Sequence, residues 1–370
     1  MSLENLPENL FLQYGGVYDF QQQKIPALEK AMYRDVLRYN QDQIQFVLKD
    51  FIATTKIVVM FNASTKLGAC IEKRSNVYYI GINIGTVKIL MFIFHWLLSS
   101  DKVFSSVGHI DPREKKSVED PHLIELNRLY DVIRENPSLH IFTADDERLV
   151  LAAKLGMNAI NFLVLHELGH ILCGHIDYMN NQKLHVDGNL EINNLYLEEQ
   201  KGLVSQALEI DADDFASNYA LKILREFYNT YHPQKLEEDF LALFRASLFA
   251  ILIPYRLTGL MPYNEKKLSH LMHPPMGFRV IHIVTTLDRM VKKRFKLSTD
   301  INEIIGFVMM EIESGLADIG LDRSVVGAGT KSYKFASENT EHLPILGRTR
   351  EKLDGILTGF ANKFKKEKNT

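Results

Sequence analysis

Residues 163–175 read LVLHELGHILCGH, and the fold turns on how that stretch is read. His166 and His170 stand at i and i+4. On a helix both imidazoles then project from one face and can grip one metal ion. Glu167 sits about 100° further round, beside the metal rather than on it, where a carboxylate can take a proton from water. Such a pattern arises by chance roughly 0.03 times in a chain of this composition, so spacing alone does not decide the matter. The setting does. Phe162, Leu163, Leu165, Leu168, Ile171 and Leu172 make the segment apolar nearly all round, the mark of a central, buried helix. Burying two imidazoles and a carboxylate without partners costs several kcal/mol. A bound cation removes that cost. Read as one helix over 145–178, the segment puts His175 about 180° from His166 and so away from the metal. Cys173 reads as a core thiol.

A third ligand is required. His185, Asp187, Glu191, Glu198, Glu199, Glu209, Asp211 and Asp213 are the downstream candidates. A helical wheel of LVSQALEIDADDFASNYALKILREF sorts them. With Glu209 at 0°, the residues Asp211, Asp214, Asn218, Lys222 and Arg225 form a solvent stripe near about 180°. Glu209 and Asp213 fall within about 40° of each other on the opposite, apolar side. Two carboxylates on a core face are anomalous unless a cation stabilises them. The economical arrangement has Glu209 as ligand and Asp213 as acceptor for a ligand imidazole N–H. Ala212, Ala216 and Ala220 would let this helix approach its neighbour closely.

The wider chain agrees with a globular fold. It has 370 residues, 43 Lys+Arg against 46 Asp+Glu, and 46% apolar residues. That balance gives no electrostatic case for nucleic acid. Two cysteines lean towards a reducing compartment, and MSLENLPENLF carries neither the charge nor the apolar run of a signal peptide. The run 89–98 is too short to cross a bilayer, and 240–257 is interrupted by Arg245, Pro254 and Arg256. No transmembrane segment and a cytoplasmic location are expected. Helices are predicted over 27–51, 123–135, 198–228, 238–258, 276–293, 300–316 and 350–366. A small antiparallel sheet is predicted within 57–85, and a loop over 101–122. His109, His140 and His185 have no tie to the site.

His166-Glu167-x-x-His170 followed by Glu209-x-x-Ala212-Asp213-x-Phe215-Ala216 resembles the gluzincin metallopeptidases. The pattern is similar to that of the HtpX and CAAX-prenyl protease superfamily, and the ImmA/IrrE-type peptidases share a like second motif. A third His at 176 and a Gly at 173, the metzincin spacing, are absent. Without predicted membrane helices, the chain resembles a soluble relative such as the phage-exclusion Lit peptidases. The resemblance extends over two further features. Tyr79, Ile80, Gly81 and Ile82, after Asn62-Ala63, look like the edge strand that pairs with an extended substrate. His273-Pro274-Pro275 with Arg279 resembles the His-Pro segment downstream of the third ligand. It implies that His273 faces the metal, as an oxyanion donor or as a plug of the open position.

These readings converge on an α+β, mainly α fold: a zincin-like domain with its small sheet packed on the HExxH helix. Residues 1–56 form an N-terminal helical segment, 57–300 the metallopeptidase domain, and 301–370 a C-terminal helical extension. One Zn2+ per chain is expected, held by His166, His170 and Glu209, with Glu167 and His273 as catalytic residues and Asp213 behind the ligands. The partner is a protein or peptide substrate, not nucleic acid. The alternative is a regulatory or structural metal protein that acts through partner binding, with His273 or Cys173 closing the metal's coordination.

Overall fold

A computed structural model of the chain describes residues 6–7, 9–52, 55–109, 130–131, 133, 145–186, 197–232, 234, 236–258, 265–295, 297–319 and 332–362. The fold is α+β and mainly α. Helix α1 (Ala27–Leu48) buries Tyr33, Val36, Asn40, Ile44 and Val47, one stripe at steps of three and four. Three strands follow: β1 (Lys56–Asn62), β2 (Ala69–Arg74) and β3 (Val77–Asn83). Helix α2 (Ile84–Leu97) is buried all round except along the side that carries Lys88 and His95.

The sheet is mixed rather than antiparallel, with strand order β1-β3-β2. β2 and β3 form an antiparallel hairpin around Ser75, whose φ of 51° supplies the turn. The hairpin inserts β3 beside β1 in parallel, Val58 opposite Tyr79 and Met60 opposite Gly81. β3 is therefore central, and Tyr79, Ile80, Gly81 and Ile82 have neighbours on both sides. The expected substrate edge does not lie there. The physical signs were in the strands themselves. VYYIGIN is a continuous apolar run, as a strand covered on both faces requires, whereas ACIEKR ends in Glu72, Lys73 and Arg74, charges that suit an edge.

Helix α3 (Asp146–Leu172) starts at an Asp145 cap that accepts from the Arg148 amide. It ends at Leu172 instead of running to 178, because Gly174 takes φ 82° and turns the chain. Helix α4 (His175–Val186) begins immediately after. The long α5 (Leu197–Tyr231), α6 (Glu237–Thr258), α7 (Met276–Arg294), α8 (Ile301–Asp318) and α9 (His342–Leu357) follow. The last starts earlier than the predicted 350–366, since Pro344 fits a first turn whose N–H groups have no helical partner. Lys363, Lys365 and Lys366, most of the predicted helix 123–135, the loop beyond residue 109, His140, Asp187 and Glu191 lie outside the described residues, as do the side chains of His185, Glu198 and Glu199.

The main hydrophobic core runs from Phe20 through the sheet and α2 to Ile319, just past the end of α8. At its centre α3 packs on α2, α5 and α6, with β2 and β3 on its remaining side. Helices α3 and α6 are long and apolar enough to cross a membrane by length and composition, and 56% and 72% of their apolar windows are buried inside the molecule.

Candidate metal centre

Two helices build the site, and small residues let them meet. A Cβ on Gly169 of α3 would come within 3.1 Å of the Phe215 Cβ and 3.2 Å of the Ala212 Cα on α5. That contact brings Glu209 to both imidazoles. Its carboxylate oxygens lie 3.4 Å from His166 Nε2 and 3.5 Å from His170 Nε2. The two Nε2 atoms are 3.2 Å apart. One ligand atom from each of His166, His170 and Glu209 falls within 4.8 Å of the others.

The far sides of the rings set their tautomers. His166 Nδ1 lies 2.9 Å from Asp213 Oδ1. A carboxylate only accepts, so Nδ1 carries a proton and Nε2 is the atom turned on the cluster. Asp213 is wholly buried, and its charge is met from three sides. The Arg279 guanidinium donates from Nε at 2.8 Å and from Nη2 at 2.7 Å, and the Tyr255 hydroxyl donates at 2.7 Å. Burial opposes ionisation, yet Arg279 and His166 hold the carboxyl well below its usual range. The Tyr255 ring also lies against the guanidinium, 4.7 Å from centroid to Cζ.

His170 is backed differently. Its Nδ1 is 2.9 Å from His175 Nδ1, and His175 Nε2 is 2.9 Å from Asp211 Oδ2. Burial holds the His175 imidazole below its ordinary value despite Asp211. Asp211 is also held by Arg350 of α9, which bridges to Asp214. His175 thus lies behind His170 rather than remote from it, and Asp211 is buried rather than on a solvent stripe. The two differences have separate causes: the His175 reading assumed a continuous helix through Gly174, and the wheel of α5 could not see α9 covering Asp211. Glycine just past a helix is the common stop signal and was the available clue. Cys173 groups with His175 and Asp211, not with the three converging atoms.

Glu167 lines the same cleft without joining that trio. Burial pushes its carboxyl up, and the neighbouring His166 and His170 oppose the rise. His273 comes just before α7, fixed by Pro274 and Pro275. Its Nδ1 lies 3.3 Å from Glu209 Oε1, and its side chain is 69% exposed. Arg279 Nη1 is 3.3 Å from Glu209 Oε2. Tyr255 and Tyr14 are further cleft residues that sequence reasoning missed. A phenol within the apolar run of α6 was a signal for the first. Tyr14 comes from an N-terminal turn tied to the sheet through Phe11, and nothing local marked it. The cleft holds about 960 Å³, and Leu67 and Gly68 together with residues 69–71 at the start of β2 form its strand-side wall.

The donor set fits a zinc ion. Two imidazole nitrogens and a carboxylate converge, and such a set of acceptors needs positive charge among them. Burial disfavours a charged His166, but the hydrogen bonds of Asp213 and Glu209 prevail and push its imidazole up to about 10. Glu209 is held well below the usual carboxylate range, with burial again opposing and His166, His170 and His273 prevailing.

Residues 127–295 match the family model described as Peptidase U49. The matched span includes both site helices, His273 and Arg279, and similarity to that family implies peptidase activity. No curated protein and no solved structure matches the chain.

Proposed function

We propose that the protein is a zinc-dependent endopeptidase of the gluzincin type, similar to the HtpX/CAAX-prenyl and Lit peptidases. The observation that carries this reading is the convergence of His166 Nε2, His170 Nε2 and the Glu209 carboxylate on one point at the floor of an open cleft. Held there by His166, His170 and Glu209, one Zn2+ per chain would supply Lewis acidity for the scissile carbonyl and would lower the pKa of water towards neutral pH. Glu167 takes the proton from the attacking water and later delivers it to the leaving amine. A carboxyl raised by burial is suited to that two-way transfer. His273 donates a hydrogen bond to the carbonyl oxygen as negative charge develops there. Asp213 keeps its negative charge throughout, because Arg279 and Tyr255 saturate it, and so fixes the orientation of the His166 ring.

The substrate is an extended peptide lying along β2, the strand whose residues 69–71 line the cleft. It adds a strand to the sheet by main-chain hydrogen bonds. Cys70 and Cys173 are both free thiols, which supports an intracellular protein substrate in a reducing cytoplasm.

The deciding test is Glu167→Gln in the zinc-loaded chain, with cleaved termini compared against wild type. Losing a general base costs about 10²–10⁴ in rate. Zinc content should be retained. Near-wild-type cleavage by the loaded variant would sink the mechanism.

A further inference from the structure

His170 owes its orientation to a second histidine. Among the described residues, His175 makes two hydrogen bonds of 2.9 Å, one to His170 and one to Asp211, with its side chain only 1% exposed. A neutral imidazole carries a single N–H. Asp211 can only accept, so that proton sits on His175 Nε2. His175 Nδ1 is then a lone pair, and the group 2.9 Å away, His170 Nδ1, must be the donor. The proton on His170 is thereby placed on the outer nitrogen, and Nε2 is left to face Glu209. Arg350 holds the end of this chain by bridging Asp211 and Asp214.

We propose that His175 and Asp211 are positioning residues that lock His170 as the Nδ1–H tautomer and aim its Nε2 at the metal. The inference rests on the zinc reading only for its consequence, not for its geometry. A structural alternative exists: His175 as the first residue of α4, merely filling space after the Gly174 turn. The two differ in what a substitution does to His170. Phenylalanine fills the space but offers no acceptor. Glutamine offers a side-chain oxygen that can accept from His170 Nδ1–H while giving up the bond to Asp211.

The test has two readouts on the full chain. The first is ¹⁵N NMR of the metal-free protein at about pH 8, above the ordinary histidine range. His170 should appear as the Nδ1–H tautomer in wild type and lose that preference in His175→Phe. The second is zinc affinity by competition with a chromophoric chelator. Removing an outer partner of a ligand costs about 10–100-fold in affinity. His175→Phe should show that loss and His175→Gln should recover most of it. The visible spectrum of the cobalt-substituted chain should shift in the Phe variant alone. His170 found as the Nε2–H tautomer in wild type overturns the proposal, even if the Phe variant does not fold. Equal zinc affinity in all three proteins overturns it as well. A wild type that binds no zinc defeats the peptidase reading instead, and the tautomer measurement still judges His175.

Discussion

Glu209 and Asp213 face α3, while Asp211 of the same helix meets His175 of α4 and Arg350 of α9, and Asp214 meets α7 and α9. Burial does not separate Glu209 from Asp211: they are 9% and 8% exposed. Their partners do. On the far side Arg350 bridges both acids, and His282 and Thr286 each lie 2.8 Å from Asp214 Oδ1. A fixed guanidinium fills the space between the carboxylates. On the near side Arg279 saturates Asp213 with two hydrogen bonds but reaches Glu209 only from one edge at 3.3 Å. Glu209 is left facing the imidazoles of His166, His170 and His273 in the cleft. A carboxylate saturated by a fixed cation is a counter-ion. One turned towards imidazoles beside open space is a candidate ligand.

The largest effect should come from removing the near-side acid. Glu209→Ala takes away one of three converging ligands and should abolish stable zinc binding, a loss beyond the about 10–100-fold expected when only an outer partner is changed. Metal content after gel filtration measures it. Equal zinc in wild type and variant would erase the distinction between the two sides of α5.

Asp214, which lies off the His170–His175–Asp211 chain, should answer to acid rather than to metal. The Asp214 carboxyl is held down to about 2, burial opposing and the His282, Arg350 and Thr286 contacts prevailing. Its folded value lies below the unfolded one of about 3.9, so this stabilisation is present above about pH 4 and is lost as pH falls towards about 2. Its size is on the order of 2 kcal/mol. Asp214→Asn should therefore be less stable than wild type near neutral pH, and the gap should narrow steadily in acid. Denaturant melts across that range measure it. A gap that stays constant with pH would mean that shape, not charge, is what Asp214 contributes.

How much of this contrast is legible in the chain depends on range. The grouping of His166, Glu167 and His170 lies within one turn, and that of Glu209 and Asp213 within another. Helical period alone sorts such residues. The sides of α5 could not be sorted in the same way, because what covers Asp214 is Arg350, 136 residues away. The sheet shows a similar limit. That these segments are strands, and that apolar VYYIGIN suits the interior and charged ACIEKR an edge, follows from their composition, but the parallel pairing of β3 with β1 is long-range and no local pattern records it. His175 failed for a third reason. A wheel extended through a glycine in the left-handed region loses its phase, and every residue beyond Gly174 is then assigned to the wrong face.

The smallest expected effect tests the contact that creates the near side. Gly169→Ala adds a methyl group where the Ala212 Cα and Phe215 Cβ stand at 3.2 and 3.1 Å. Exchanging Gly for Ala inside a helix ordinarily stabilises by about 0.5–1 kcal/mol. Here the neighbours include the backbone of a packed helix, which cannot swing aside as a flexible side chain would. Overpacking of this kind costs about 1–3 kcal/mol. The two terms oppose each other, so the net stability change should be a small loss. Gly306 in α8 provides the control, since nothing lies within 4 Å of its added Cβ. Gly306→Ala should gain the helix term undiminished, and zinc affinity should not change. Gly169→Ala should instead weaken zinc binding, because pushing α5 away by a few tenths of an ångström moves Glu209 from both imidazoles while leaving Arg350 with its acids. Chemical denaturation and chelator competition on the two variants measure the pair. If Gly169→Ala gains stability as Gly306→Ala does and keeps its zinc, close approach of α3 and α5 is not what sets the near side apart.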